Sequence, residues 1–194
     1  MQHRAAGVRK TFRASVHFNR ARAVAIATDA SAWGIGAVRY LQGRPADFFS
    51  SALEKCDEDL FGHAIGDPAG QQTWERLSSL VALSTWRRHW EAARAVLRMK
   101  SDSVAALTLL LQFKSSGDDA SLIARELALD LASAAFRPDV EDVIHVPGCA
   151  NVAPDALSRV HQPGHSVALP AYLAEATERH PPTRSRDFYL AVRA

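Results

Sequence analysis

Val24-Ala25-Ile26-Ala27-Thr28-Asp29-Ala30-Ser31-Ala32-Trp33-Gly34-Ile35-Gly36-Ala37-Val38 reads as an apolar run, a carboxylate, a small-residue turn and a second apolar run. The first run, Val24 to Ala27, is short and rich in β-branched residues, which suits a central strand buried on both faces. Asp29 follows where that run meets polar residues, so a core strand would hold its carboxylate at the edge of a cleft. Gly34 and Gly36 are expected to let the backbone reverse before the next strand. A lone aspartate in this setting more often just begins a turn. The carboxylates further along the chain, Glu75, Asp102 and Asp155, are what point to a site.

At 194 residues and 47% hydrophobic content, the chain is long enough for one domain with a full core and some tail. No apolar run approaches the roughly 18 residues of a membrane span, and no signal-peptide core opens the sequence. Cys56 and Cys149 form neither a disulfide framework nor a metal pattern, so an intracellular, reducing setting is expected. The net charge of +2 is unevenly spread. Arg4, Arg9, Lys10, Arg13, Arg20 and Arg22 all precede Asp29, the first acidic residue. Arginine outnumbers lysine, and guanidinium groups suit bidentate phosphate contacts, so a polyanion partner fits this arm.

Residues 1–20 lack a clear period and read as a basic arm or the end of a connection segment. The domain proper is expected over 21–160 and a proline-containing linker or tail over 161–194. Strands are predicted near 22–28, 35–41 and 46–50, the last two joined by the hairpin chemistry of Gln42-Gly43-Arg44-Pro45. Residues 52–71, with Asp57, Glu58, Asp59 and several glycines, read as an acidic loop with at most a helical turn. Leu77, Leu80, Val81, Leu83 and Trp90 recur at helical spacing, predicting a helix from about Gln72 to Ala93 with Glu75 in its first turn. A fourth strand is expected over Ala95 to Met99, then a helix capped by Asp102. A longer helix follows from about Ala120 to Phe136, buried along Leu122, Ile123, Leu127, Leu131 and Ala134. The fifth strand is Val143 to Val146. A short helix after Asn151 has Pro154 at a first helical position and Asp155 in its first turn. A further short helix is expected over Ala171 to Glu178.

The order βββαβααβα implies an α/β fold with a five-stranded mixed sheet flanked by helices. Strands one, four and five are linked by crossovers, so they lie parallel, and Asp29 and Asp102 fall at the same end of adjacent strands. That end is where ligands bind in such sheets. Four converging carboxylates repel one another and need shared protons or cations. Hard divalent ions, magnesium first, suit all-oxygen ligands. Two ions roughly 3.5–4 Å apart can activate a water and stabilise the leaving oxygen of a phosphodiester. In that arrangement Asp29 bridges, Glu75 and Asp102 complete one ion and Asp155 the other. Zinc is disfavoured, because His145 and Cys149 lack two further ligands at useful spacing.

Thr28-Asp29-Ala30-Ser31 with Gly34-Ile35-Gly36-Ala37-Val38 resembles the first motif of ribonuclease H domains in retroelement reverse transcriptases. Glu75 ahead of the helix ending in Trp86-Arg87-Arg88-His89-Trp90 resembles the second motif, and Met99-Lys100-Ser101-Asp102-Ser103 the third. His145-Val146-Pro147-Gly148, Asn151 and Asp155-Ala156-Leu157-Ser158-Arg159 resemble the family's closing segment, with Pro154 where members usually carry alanine. The resemblance spans about residues 22–160 and is nearest to the long-terminal-repeat and tyrosine-recombinase branches. It implies a ribonuclease H-like fold and cleavage of the RNA strand of an RNA–DNA hybrid to a 3′-hydroxyl and a 5′-phosphate. It also implies two magnesium ions, for which manganese can substitute, held by Asp29, Glu75, Asp102 and Asp155. Ser31 and Ser103, beside these ligands, become candidate contacts to the substrate backbone. The implied partner is a polymerase domain in the same polyprotein, in the cytoplasm, the nucleus or a retroelement particle. Alternatives are a catalytically inactive nucleic-acid-binding or connection domain, and a resolvase- or transposase-type nuclease of the same fold. His161 and His165 fall near the position of a product-release histidine, but a linker placement is the commoner one for such residues.

Overall fold

The computed structural model describes residues 19–90, 95–113, 117–133 and 140–189. Most of the basic arm therefore lies outside the described residues, as do Ala134 and Phe136 of the expected helical stripe. Three antiparallel strands open the fold: β1 (Asn19–Ala30), β2 (Gly34–Leu41) and β3 (Arg44–Ala52). Gln42 and Gly43 turn β2 into β3 with φ of 52° and 80°, the left-handed pair that a two-residue hairpin requires. The helices α1 (Lys55–Phe61), α2 (Gln71–Thr85) and α3 (Arg87–Trp90) follow. Next come β4 (Ala95–Ser101), α4 (Val104–Gln112), α5 (Asp118–Ser133), β5 (Val143–His145), α6 (Val152–Ser158) and β6 (Thr177–Glu178).

These strands form one mixed sheet in the order β5-β4-β1-β2-β3-β6, flanked by helices, so the α/β class is as expected. It has six strands where five were expected. The added strand is β6, in the region predicted to be helical. There only Ala171–Leu173 makes a 3-10 turn, and Thr177 and Glu178 run parallel to Asp47 and Phe48. Backbone pairing at the open edge of β3 satisfies groups that a lone short helix would not reach: Arg179 N donates to the Phe48 carbonyl at 2.8 Å.

The sheet buries two faces of unequal size. On one, Ile26, Ile35, Phe49, Leu97 and Met99 pack against Trp74, Leu77, Val81 and Trp86 and, beyond them, Ile123 and Leu127. On the other, Val38 and Phe48 meet Ala153 and Leu157 of α6 and Leu173. The helix expected to reach Ala93 breaks at Trp86, whose φ of −104° and ψ of 15° leave the helical region as its ring enters the core. Gly34 and Gly36 both have negative φ, so their role is close approach and not reversal. A Cβ on Gly36 would sit 2.6 Å from Leu157 Cβ and from Ser158 N. Only a glycine lets α6 lie this close to β2.

The segment expected as a proline-containing linker packs against the body. Arg184 is fully buried, its Nε 2.7 Å from Asp57 Oδ2, and it also bonds Ser51 Oγ and the Ala52 carbonyl. Tyr189 donates to the other oxygen of Asp57 at 2.6 Å. The acidic 52–71 stretch thus holds α1, and its Asp57 serves an internal ion pair. Among the described residues no helix is long and apolar enough to cross a membrane.

Replacing Arg184 with methionine leaves the buried Asp57 carboxylate without its cation, a change that costs about 3–5 kcal/mol for buried pairs. Urea unfolding of Arg184→Met should show a loss of that size. Lys55→Met removes exposed pairs with Glu58 and Asp59 and should leave the midpoint unchanged.

Candidate metal centre

β1 and β4 run parallel with Ala27 beside Lys100, so two residues on, Asp29 and Asp102 emerge together at the same end of the sheet. Glu75 reaches that point from α2, which crosses β1 on the large-core side. One oxygen from each of Asp29, Glu75 and Asp102 lies within 4.8 Å of the other two. Asp29 and Glu75 are 4% and 8% exposed, while Asp102 is half-buried.

Glu75 was expected in the first helical turn, where the helix dipole alone would explain an acid. It stands instead in the second turn. Asp67 caps a 3-10 turn over Pro68–Gly70, and α2 begins directly after it at Gln71. Asp102 was expected to cap the following helix. That task falls to Ser103, whose hydroxyl accepts from Ala106 N at 3.3 Å, so the Asp102 carboxylate is left for the cluster. Pro154 is the third residue of α6 and not the first, still among the positions whose N–H needs no helical partner.

Asp155 occupies the first turn of α6, and its side chain is 43% exposed. Arg159, one turn on, grips it at 2.7 Å through Nη2 and 2.8 Å through Nε. It stands beside the three-acid cluster, close enough for its charge to act on Asp29. Ser31 and Ser103 are engaged in the fold. Ser31 Oγ accepts from the backbone N–H groups of Trp33 and Gly34 and donates to the Ser158 carbonyl at 2.7 Å, closing the β1–β2 turn onto α6.

Three polar side chains to which the sequence assigned no role orient the acids. Ser158, fully buried, donates to Asp29 Oδ2 at 2.7 Å. Gln71 donates from Nε2 to the Ala30 carbonyl at 2.6 Å and to Glu75 Oε1 at 2.8 Å, tying α2 to the end of β1. Asn151 Nδ2 donates to the Thr28 carbonyl at 3.0 Å and to Asp102 Oδ1 at 3.3 Å. Asn151 and Ser158 belong to the closing motif quoted above. Gln71 sat in a stretch that reads as loop, where no pattern marks it.

Burial, followed by the charge of Asp29, pushes Glu75 up to about 9. Burial also pushes Asp29 up to about 7, opposed by the Ser158 hydrogen bond and aided by the charges of Asp102 and Asp155. Among the described residues Glu75 Oε2 is buried with no hydrogen-bond partner. An orphaned carboxylate oxygen among three mutually repelling acids, with no thiolate or imidazole in the set, is the donor chemistry of a hard divalent cation, and these residues fit one.

No protein-family model matches the chain, and no curated protein sequence matches it either. Among solved structures, the chain is similar to RNase H1 from the halophilic archaeon Halobacterium salinarum NRC-1. The two share 15% identity over 70% of this chain and 93% of that one, with a TM-score of 0.49.

The raised carboxyls set the sign of the pH dependence. Asp29 and Glu75 hold protons in the folded state that the unfolded chain releases near 3.8 and 4.5. Their contribution to stability is therefore complete below those values and is lost as pH rises through about 7 and about 9. With a chelator present, the melting temperature should fall across that window, and Glu75→Gln should flatten the fall. Added magnesium should raise the melting temperature most at the alkaline end, because binding to the folded state alone stabilises it.

Proposed function

We propose that this chain is an endonuclease that hydrolyses the RNA strand of RNA–DNA hybrids with divalent ions, as the ribonuclease H domain of a retroelement reverse transcriptase. The observation that carries this reading is the convergence of Asp29, Glu75 and Asp102 within 4.8 Å at the ends of β1 and β4. The motifs at Asp29, Asp102 and 145–159 supply the choice of reaction. The retroelement context and a polymerase partner in the same polyprotein rest on those motifs alone.

Asp29, Glu75 and Asp102 would hold the cation, with Asp155 the fourth ligand once its carboxylate leaves Arg159. Magnesium in two copies is the proposed complement, manganese the substitute, and such ions lower the pKa of a bound water and neutralise charge on the leaving oxygen. The chain's own contribution is alignment. Ser158 fixes the Asp29 carboxylate, Gln71 fixes Glu75 and Asn151 fixes Asp102, so the acids are set before substrate arrives. Hydrolysis joins the water oxygen to phosphorus as the P–O3′ bond breaks, leaving a 3′-hydroxyl and a 5′-phosphate. A cavity of about 310 Å³ beside the acids, lined by Trp33, Gln71, Arg159 and Gln162, gives the strand being cut an aromatic face and a cation.

A labelled RNA–DNA hybrid should be cut in its RNA strand with magnesium, while duplex DNA, duplex RNA and single strands remain whole. Asp29→Asn should lower the rate by at least about 10²–10³-fold, the scale on which loss of one preorganised electrostatic group is felt. Tight hybrid binding without cutting by the parent chain would instead assign an inactive nucleic-acid-binding domain. Preferential cutting of branched DNA would assign the resolvase-type alternative.

A further inference from the structure

Below the acidic cluster, the described residues cover only part of the small-core face of the sheet. α6 spans seven residues and packs through Ala153 and Leu157 on Val38 and Phe48, so among the described residues it leaves the β1–β4 half uncovered. A groove of about 460 Å³ results, with Ala25 and Ala27 among its lining residues, side chains too small to fill it. Asn151 stands in this groove and also donates to Asp102, so the groove begins at the acids and runs toward the Gln42-Gly43 turn.

The lining has one sign of charge. Arg98 and Lys100 alternate with buried Leu97 and Met99 along β4, so both point into the groove, about 6.6 Å apart along the strand. No aspartate or glutamate is among the described residues that line it. Arg98 is half-exposed and meets Asp142, outside the groove, at 3.8 Å. Lys100 holds its ammonium 5.7 Å from the centroid of the Tyr40 ring, which forms another part of the wall. Tyr172, 51% exposed, stands near enough to act electrostatically on Tyr40. Two cations in a row beside an aromatic ring, in a recess of about 460 Å³, have the complementarity of one nucleic-acid strand: phosphates on the cations, a base against the ring.

We propose that the groove bounded by Arg98, Lys100 and Tyr40 is a binding site for single-stranded nucleic acid, separate from the acidic cluster and independent of metal. It takes a strand that passes the acids at Asn151 and continues along β4 toward the β2–β3 turn. Its function does not depend on the chain being a nuclease.

The test is fluorescence anisotropy of the full chain with a labelled single strand of about 12 nucleotides, in chelator, across a salt series. The parent chain should bind, and Arg98→Gln with Lys100→Gln should weaken binding at least tenfold. The double variant should also reduce the slope of log affinity against log salt by about 1.4, the value for two phosphates of a single strand left without a cation. Tyr40→Leu, which keeps an apolar wall, should cost about tenfold at unchanged salt slope. Arg98→Lys with Lys100→Arg should restore the slope and show that the chain folds with the groove altered. Equal affinity and slope in parent and double variant would overturn the proposal. So would absence of binding by the parent, or equally tight binding of an acidic peptide of matched charge. Because chelator is present throughout, failure here is distinguishable from failure of the hydrolysis assay.

Discussion

Parallel pairing of β1 with β4 sets Ala27 beside Lys100, and two residues further along it sets Asp29 beside Asp102 at one edge of the sheet. Everything at the site is arranged around that register. A slip of one residue would turn Asp29 to the opposite face and Ala30 toward the acids, because side chains alternate along a strand. The alternation that aims Asp29 out of the sheet also sends Ile26 and Met99 into the large core. The burial of those side chains, roughly 1.5–3 kcal/mol each, is what makes the register costly to change.

The cluster this register creates opposes folding by itself. Acids within 4.8 Å of one another repel; burial first, and that repulsion after it, raises the Asp29 and Glu75 carboxyls, and neutral donors come from both ends of α6 and the start of α2. Ser158 comes from the end of α6, Gln71 from the start of α2 and Asn151 from the residue before α6. Each of these also ties its element to β1 or its turn. Gln71 bonds the Ala30 carbonyl, Asn151 the Thr28 carbonyl, and the Ser158 carbonyl receives the Ser31 hydroxyl. Orientation of the acids and docking of the helices are thus the same set of hydrogen bonds. Gly36 completes it, since the absence of a Cβ brings α6 within reach of Asp29.

Much of this was legible in local pattern. The β-branched run before Asp29, the Gln42-Gly43 turn and the apolar spacing of α2 and α5 each arise from backbone preference or burial within one segment. The elements misread are those whose form depends on distant partners. Thr177 and Glu178 are a strand because β3 offers an open edge, and Trp86 ends α2 because its ring fills a space beside Phe49. Residues 161–189 look like linker by composition. They are held by Arg184 and Tyr189 on Asp57, a contact across more than a hundred residues that no local pattern encodes.

Periodicity and residue chemistry are local properties, and they were enough for the α/β class, for the strands that lead to Asp29 and Asp102, and for marking Asp29, Glu75, Asp102 and Asp155 as candidates. Which acids meet is a matter of packing: Asp29, Glu75 and Asp102 come together, and Asp155 is drawn aside by Arg159. Packing likewise commits Ser31 to the turn and Ser103 to the helix cap, and among the described residues a short α6 leaves a basic groove beside β4. These outcomes depend on distances of a few ångströms between segments far apart in the chain. The assembled core sets such distances, and no single segment contains them.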